Sequence, residues 1–306
     1  MTKRSDAVVE IEGVRVTHPE RVLDAESKLT KRELAQYYAA VAKAMLPHVE
    51  GRPLSLVRCP EGSGAPCFYQ RHAGGGLPEG VVGVPVKSKT SGKTERYIAV
   101  ESAKGLIGLA QMGVLEVHPW GARSDALETP DRLIFDLDPG DGVAWEQLVE
   151  SAVEIRGLLE QSGLESFVKC TGGKGLHVVA TIKAEHGWDA VREFALNVAR
   201  GMEARKPELY LTKAKKTARE GRIFLDYMRN ERGGTAVAPY SPRARKGAHV
   251  AMPLRWEELK ALGRPEFAVA NFAGWKVRLK NDPWKRMGTV RQRLTRDAMR
   301  GVNAVA

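Results

Sequence analysis

The run RLIFDLDPGDG, residues 132–142, constrains the fold of this chain more than any other stretch. Leu133, Ile134, Phe135 and Leu137 favour a buried strand, and Pro139 followed by Gly140 forbids that strand to continue. Residues i and i+2 of a strand share a face, so Asp136 and Asp138 lie side by side at its end, within reach of mutual repulsion. A fold that accepts this strand must bring a cation to its mouth.

A second apolar strand, IFLD at 223–226, ends in the same way on Asp226. If the two strands are neighbours, three carboxylates converge, and hard cations with oxygen ligands, Mg²⁺ or Mn²⁺, are the natural counter-charge. Two such ions about 3.5 to 4 Å apart serve in-line nucleotidyl transfer, one activating a 3′-hydroxyl and one holding a triphosphate. On D-x-D alone, a merely polar strand exit competes with this reading.

Several segments favour the catalytic reading. In TGGKGLHV, Thr171, Lys174 and His177 lie at a turn between two strands, where glycines let backbone N–H groups approach an anion. It lacks the G-x-x-x-x-G-K-[ST] spacing of a Walker A loop. Downstream of Asp226, FLDYMRNERGGTAVAPYSPRARKG carries Arg229, Arg232, Arg243 and Arg245, suited to bidentate phosphate contacts. Arg243 and Arg245 would share a face of an extended stretch, whereas Arg232 reads as solvated surface. CFYQRH, residues 67–72, sets Phe68 and Tyr69 beside Arg71 and His72, as stacking on an unpaired base requires; ordinary core aromatics are the alternative. The segment 206–222 holds six basic and two acidic side chains and is expected to be a mobile loop in which Lys213, Lys215 and Lys216 grip nucleic-acid backbone.

The surrounding pattern is mixed. TKREL reads as a capping box from Thr30 to Glu33, opening a helix with Leu34, Tyr37, Tyr38, Val41 and Met45 on its apolar face and stopped by Pro47. Strands are expected at 52–60, 96–100, 113–118 and 132–138, in SFVKC and GLHVVATI, and at 223–227. Helices are expected from Trp145 to a stop at Gly163, and over about 187–204. With no strict βαβ rhythm, the fold class is α+β or mixed α/β. The whole chain, 1–306, reads as a single compact domain with two lobes; the motifs lie over about 10–260, and 280–306 forms a basic C-terminal tail or helix.

With 306 residues and 43% hydrophobic content, the chain can bury a sizeable core, and a formal net charge of +11 calls for an acidic polymer or phosphorylated ligand. No run approaches the roughly 20 apolar residues that span a bilayer, and the start has no apolar leader, so a cytoplasmic protein without membrane contact is expected. Cys59, Cys67 and Cys170 are odd in number and lack C-x-x-C spacing, which predicts reduced structural thiols.

Taken in order, THPERVL…LTKRELAQYY, RPLSLVRCP…CFYQRH, QMGVLEVHPW, RLIFDLDPGDG, TGGKGLHV and RIFLDYMRNERGGTAVAPYSPRAR resemble the polymerase domain of bacterial ATP-dependent DNA ligase D. That domain is a member of the archaeo-eukaryotic primase-polymerase superfamily that serves non-homologous end joining. The resemblance implies a primase-polymerase-like core with mixed or antiparallel central sheets flanked by helices. It implies Asp136, Asp138 and Asp226 as the metal-binding catalytic triad. Thr171, Lys174, His177, Arg229, Arg243 and Arg245 would surround the incoming nucleotide, with His118 of EVHPW as an active-site histidine. Arg21 and Lys31 would hold a downstream 5′-phosphate, and Phe68 and Tyr69 would stack on template. Two ions, Mn²⁺ or Mg²⁺, nucleoside or deoxynucleoside triphosphates with ribonucleotides preferred, DNA with gaps, overhangs or broken ends, the end-binding Ku protein, a ligase domain and the bacterial nucleoid are its implied cofactors, substrates, partners and setting. The family often has Ser at position 171 and a Phe pair at 68 and 69. No K-x-D-G ligase motif or phosphoesterase histidine cluster occurs, so the polymerase alone is expected.

Other classes fit less well. A stand-alone primase-like polymerase in another repair or replication role is the nearest alternative. A haloacid-dehalogenase-like phosphatase would have Thr where Gly140 stands, and an EF-hand loop is excluded by Gly140 and Gln147 at its fifth and twelfth ligand positions. A non-catalytic nucleic-acid-binding module explains the charge but not three carboxylates at strand ends.

Overall fold

In a computed structural model, residues 7–303 are described. They form two compact units, each assembled from separated segments. The first comprises residues up to Trp120 with Val237–Ala251 and Glu266–Asp282; the second comprises Gly121–Ala236, Met252–Pro265 and the residues from Pro283 onward.

The first unit begins with two short antiparallel hairpins, β1 (Val8–Ile11) with β2 (Val14–Thr17) and β3 (Val22–Asp24) with β4 (Leu29–Thr30). Helix α1 (Lys31–Val49) follows, with the expected capping box: the Glu33 N–H donates to Thr30 Oγ1, and Glu33 Oε2 accepts the Thr30 N–H. Its apolar stripe, Leu34, Tyr37, Tyr38, Val41 and Met45, is buried as the periodicity predicts. Pro47 does not stop it. The helix runs to Val49, because a proline in the last turn forfeits a single hydrogen bond and the next, Glu50 N–H to Leu46 O, is made. Strands β5 (Leu54–Arg58), β6 (Phe68–Gln70) and β9 (Val114–Pro119) make a sheet of order β6-β5-β9; β7 (Val81–Lys87) pairs with β8 (Thr94–Val100), and α2 (Ala103–Gln111) packs on α1.

The cysteines depart from expectation. Cys59 and Cys67 are joined by a disulfide, and Cys170 remains a buried thiol outside it. A spacing of eight matches no cysteine motif. The turn from β5 to β6 nevertheless brings the two Cα atoms to 4.5 Å, within the range a disulfide spans.

The second unit is built on a six-stranded mixed sheet of order β13 (Tyr210–Leu211), β14 (Ile223–Asp226), β10 (Arg132–Pro139), β12 (Leu176–Thr181), β11 (Phe167–Cys170), β15 (Pro253–Leu254). All pairs are antiparallel except β13 with β14. Helix α3 (Trp145–Gln161) packs on β10 and β12, and α4 (Trp188–Arg205) on β10 and β13. Gly163, at φ +74°, ends the turn after α3 as the sequence predicts. The basic end of the chain includes a helix, Arg296–Asn303. No described helix is long and apolar enough to cross a membrane.

Register explains how one sheet face carries both core and chemistry. Ile134 pairs with Val179 and Val179 with Phe167; this apolar row clusters with Ala236, Trp284 and Met287. Two residues along each strand, hence on the same face, Asp136 pairs with His177 and His177 with Lys169, while Asp226 opposes Asp136 from β14. A polar row, Asp226, Asp136, His177 and Lys169, thus crosses four strands directly beside the core row.

Candidate active site

The polar row is built by local constraints on both sides. Strand β14 covers only the end of β10. Beyond it the Asn230 side chain takes over a strand's role, its Oδ1 accepting the Ile134 N–H at 2.8 Å and its Nδ2 donating to the Ile134 carbonyl at 2.7 Å. That fixes the Tyr227–Asn230 turn, which delivers Arg229 to the carboxylates. Gly140 could hold no side chain, since a Cβ there would lie 1.7 Å from the Arg219 carbonyl oxygen. Gly175 is equally constrained, its Cβ position 2.5 Å from Leu137 O. The glycines of this exit and turn therefore set backbone packing at the row.

The cations that the D-x-D pattern demands are arginines here. The Arg229 guanidinium bridges Asp136 at 2.9 Å and Asp226 at 3.2 Å, and Arg219 pairs with Asp138 while lying 4.2 Å over the Phe224 ring. Among the described residues, no group of three His, Cys, Asp or Glu side chains is gathered as a metal cage. The donor set nonetheless fits a hard divalent ion. Asp136 and Asp226 are cross-strand neighbours, Asp138 follows on the same face as Asp136, and the guanidinium groups supply the positive charge that such an ion would bring.

The electrostatics of the row are uneven. Burial works to raise the pKa of Asp136, but the contact with His177 and the Arg229 guanidinium outweigh it and hold the carboxyl well below its usual range. Asp226 is raised, by burial first and then by the charge of Asp136, with Arg229 opposing. His177 Nε2 lies 3.2 Å from Asp136 Oδ1, and burial with the nearby Lys169 charge lowers its imidazole to about 4. The unfolded imidazole binds its proton near 6.5 and the folded one not until about 4, so the unfolded chain binds more protons in between. Stability should fall across that window as pH drops, at up to about 1.4 kcal/mol per pH unit for this group. Denaturant midpoints of wild type and His177→Gln should show the slope reduced in the variant, and parallel curves would contradict the assignment.

The remaining turn residues are nearby in sequence but differently engaged. Thr171 Oγ1 donates to Gly175 O at 3.1 Å, and Lys174 Nζ sits 2.6 Å from Asp141. Arg232, read as surface, pairs with Glu128. Lys213 and Lys215 are exposed, in the stretch that Arg219 ties through Ala214 O at 2.9 Å; the Lys216 side chain lies outside the described residues.

The first unit holds the other candidates, in three places. His118 and Arg243 converge on Glu116, a residue the sequence reading missed. Its buried carboxylate is 2.7 Å from His118 Nε2 and 3.1 Å from Arg243 Nε, and accepts the Ala244 N–H at 2.8 Å. Burial opposes ionisation, yet these partners lower Glu116 to about 2. Arg245 does not join Arg243 there but is exposed. Arg21 and Lys31 are adjacent, the Lys31 N–H donating to Arg21 O at 2.8 Å. Burial, then the charges of Arg21 and Arg58, lower the Lys31 ammonium to about 8. Phe68 and Tyr69 lie on edge strand β6 and are 47% and 69% exposed, which removes the core-aromatic alternative. Successive strand residues point to opposite faces, and Phe68 stacks on Arg58 at 5.4 Å.

Comparison with known proteins agrees with these motifs. The family described as "LigD, primase-polymerase domain" matches residues 30–284. The multifunctional non-homologous end joining protein LigD of Pseudomonas aeruginosa is 37% identical over 285 residues, 92% of this chain and 34% of that protein. The bifunctional non-homologous end joining protein LigD of Bacillus subtilis is 28% identical over 81% of this chain and 40% of its own length. The chain thus spans roughly a third to two fifths of these relatives. A solved structure, the polymerase domain of Mycobacterium tuberculosis ligase D in complex with DNA, superposes with a TM-score of 0.82 at 31% identity, covering 90% of this chain and 97% of that one.

Proposed function

Because this chain belongs to the LigD primase-polymerase family, we propose that it is a template-dependent nucleotidyltransferase that fills gaps and extends primer ends at DNA double-strand breaks. One observation carries the reading: the cross-strand register that sets Asp226 beside Asp136, with Asp138 next along the strand. Asp136, Asp138 and Asp226 are assigned to two divalent cations, Mn²⁺ or Mg²⁺, which when bound would polarise phosphate and lower the pKa of a primer hydroxyl. Arg229, now on Asp136 and Asp226, is assigned with Thr171, Lys174 and His177 to the nucleoside triphosphate. In the first unit His118, Arg243 and Arg245 receive the same assignment. Phe68 and Tyr69 are assigned to stacking on template bases, and Lys213, Lys215 and Lys216 to DNA backbone. Ribonucleotide preference, action in the cytoplasm at the nucleoid, and partnership with Ku and a ligase domain complete the proposal. Extension of a recessed 3′ end, templated by the overhang and abolished by chelation, tests it; addition that ignores the template or survives chelation would contradict it.

The Arg21 and Lys31 cluster is assigned to a downstream 5′-phosphate, whose charge exceeds that of an internal diester. With Lys31 titrating near 8, preference for a 5′-phosphorylated gap over a 5′-hydroxyl gap should weaken as pH rises through about 8. Arg21→Ala with Lys31→Ala should remove the preference at every pH. Binding competitions across that range check this, and a preference retained by the double variant would place the phosphate elsewhere.

A further inference from the structure

We propose that the Cys59–Cys67 disulfide is a redox-active modification site whose state governs how the protein holds the downstream 5′ end, an inference resting on the assignment of Arg21 to that phosphate. The bond closes the loop between β5 and β6, and the loop lies against the Arg21–Asp24 segment. Arg21 Nη1 donates to Pro60 O at 2.8 Å and pairs with Glu61 at 3.0 Å. The Ser63 N–H donates to Leu23 O at 2.6 Å, and Ser63 Oγ donates to Asp24 Oδ1 at 2.8 Å. Gly62, at φ +90°, brings the backbones so close that a Cβ would sit 2.9 Å from Val22 O. At its other end the loop passes from Cys67 directly into Phe68 and Tyr69.

Buried Asp24 extends the connection. Its Oδ2 also accepts the Gly247 N–H at 3.1 Å, two residues beyond Arg245. The seat of Arg21 and the exposed aromatic pair therefore hang on one loop closed by one covalent bond, and Asp24 links that loop to the backbone at Gly247. Loops held this way gain conformational freedom when the cross-link opens.

The two sulfurs differ in access. Cys59 is fully buried and Cys67 half-buried, so an incoming thiolate meets Cys67 Sγ first. Attack by a dithiol reductant forms a mixed disulfide at Cys67 and expels Cys59 as a thiolate, which takes up a proton. The reductant's second thiol then releases Cys67. Two electrons and two protons pass to the cysteine pair, and the dithiol leaves as a disulfide.

The test uses the whole protein, oxidised with diamide or reduced with dithiothreitol, its thiols counted by alkylation and mass. Two readouts are taken: amide exchange over residues 21–24 and 60–66, and the affinity ratio for a gapped duplex with and without its 5′-phosphate. Reduction should speed exchange in both segments and lower the ratio about tenfold. Cys59→Ser with Cys67→Ser should behave as the reduced protein and ignore dithiothreitol. A ratio and exchange that reduction leaves unchanged would overturn the switch while the phosphate assignment stands. Faster exchange in a protein that shows no phosphate preference even when oxidised would overturn the assignment of Arg21, and the control of end binding with it. Three free thiols after diamide treatment would overturn the modification site itself.

Discussion

Asp136→Asn is expected to abolish nucleotide addition, by on the order of 1,000-fold or more, while DNA affinity stays the same or rises. The position explains the size of the effect. Asp136 is the centre of the polar row, flanked by Asp226 on one strand and His177 on the other, and no other described carboxylate shares both neighbours. Its low pKa keeps it ionised at every working pH, so it offers a permanent anionic ligand that an amide cannot replace. DNA affinity should not suffer, because the lost charge is one that repels phosphate. The fold should survive, since Arg229 keeps Asp226 and the amide can still accept a hydrogen bond. Single-turnover extension and binding isotherms on the same gapped duplex separate the two effects. Extension within a few-fold of wild type would remove Asp136 from the chemistry.

The second large effect is expected at Glu116. Glu116→Gln should raise the nucleotide KM by about 10- to 100-fold with a smaller change in kcat, because the carboxylate positions two groups and touches no reacting atom itself. Both groups meet the same oxygen, Oε2, while Oε1 accepts the Ala244 N–H, so an amide oxygen can serve that pair or the backbone donor but not both, and the amide removes the charge that balances the guanidinium. Glu116→Ala should act differently, costing about 3 to 5 kcal/mol of stability by leaving Arg243 without its buried counter-charge. Glu116→Asp, which keeps the charge on a shorter arm, should recover part of the lost KM. A Gln variant with unchanged KM, or an Asp variant no better than Gln, would reduce Glu116 to a structural acceptor.

The carboxylate row was readable in advance because β10 and β14 both end apolar runs on aspartate, and strand pleat alone puts Asp136 and Asp138 on one face. Helix α1 was readable from its cap and stripe, whereas its end was not. A proline rule describes helix interiors, and Pro47 sits in the last turn. Glu116 did leave a signal, the i, i+2 spacing to His118 in EVHPW, yet its second partner, Arg243, lies 127 positions away in sequence and only the fold supplies it. Lys169 is invisible for the same reason, since its place beside His177 depends on the register of β11. The disulfide was misread because its spacing carries no motif and its formation depends on the β5 to β6 turn. Arg219 was counted among the basic residues of a DNA-gripping loop, but its partner is Asp138, a choice that charge composition cannot express.

The carboxylate row is assigned to the divalent ions of nucleotidyl transfer. Calorimetric titration of Mn²⁺ into the protein with a non-hydrolysable ribonucleoside triphosphate tests it without relying on catalysis. About two ions per chain should bind to the wild type, as a two-metal site requires, and Asp136→Asn should lose at least one of them. The same Mn²⁺ stoichiometry and affinity in both proteins would contradict the account.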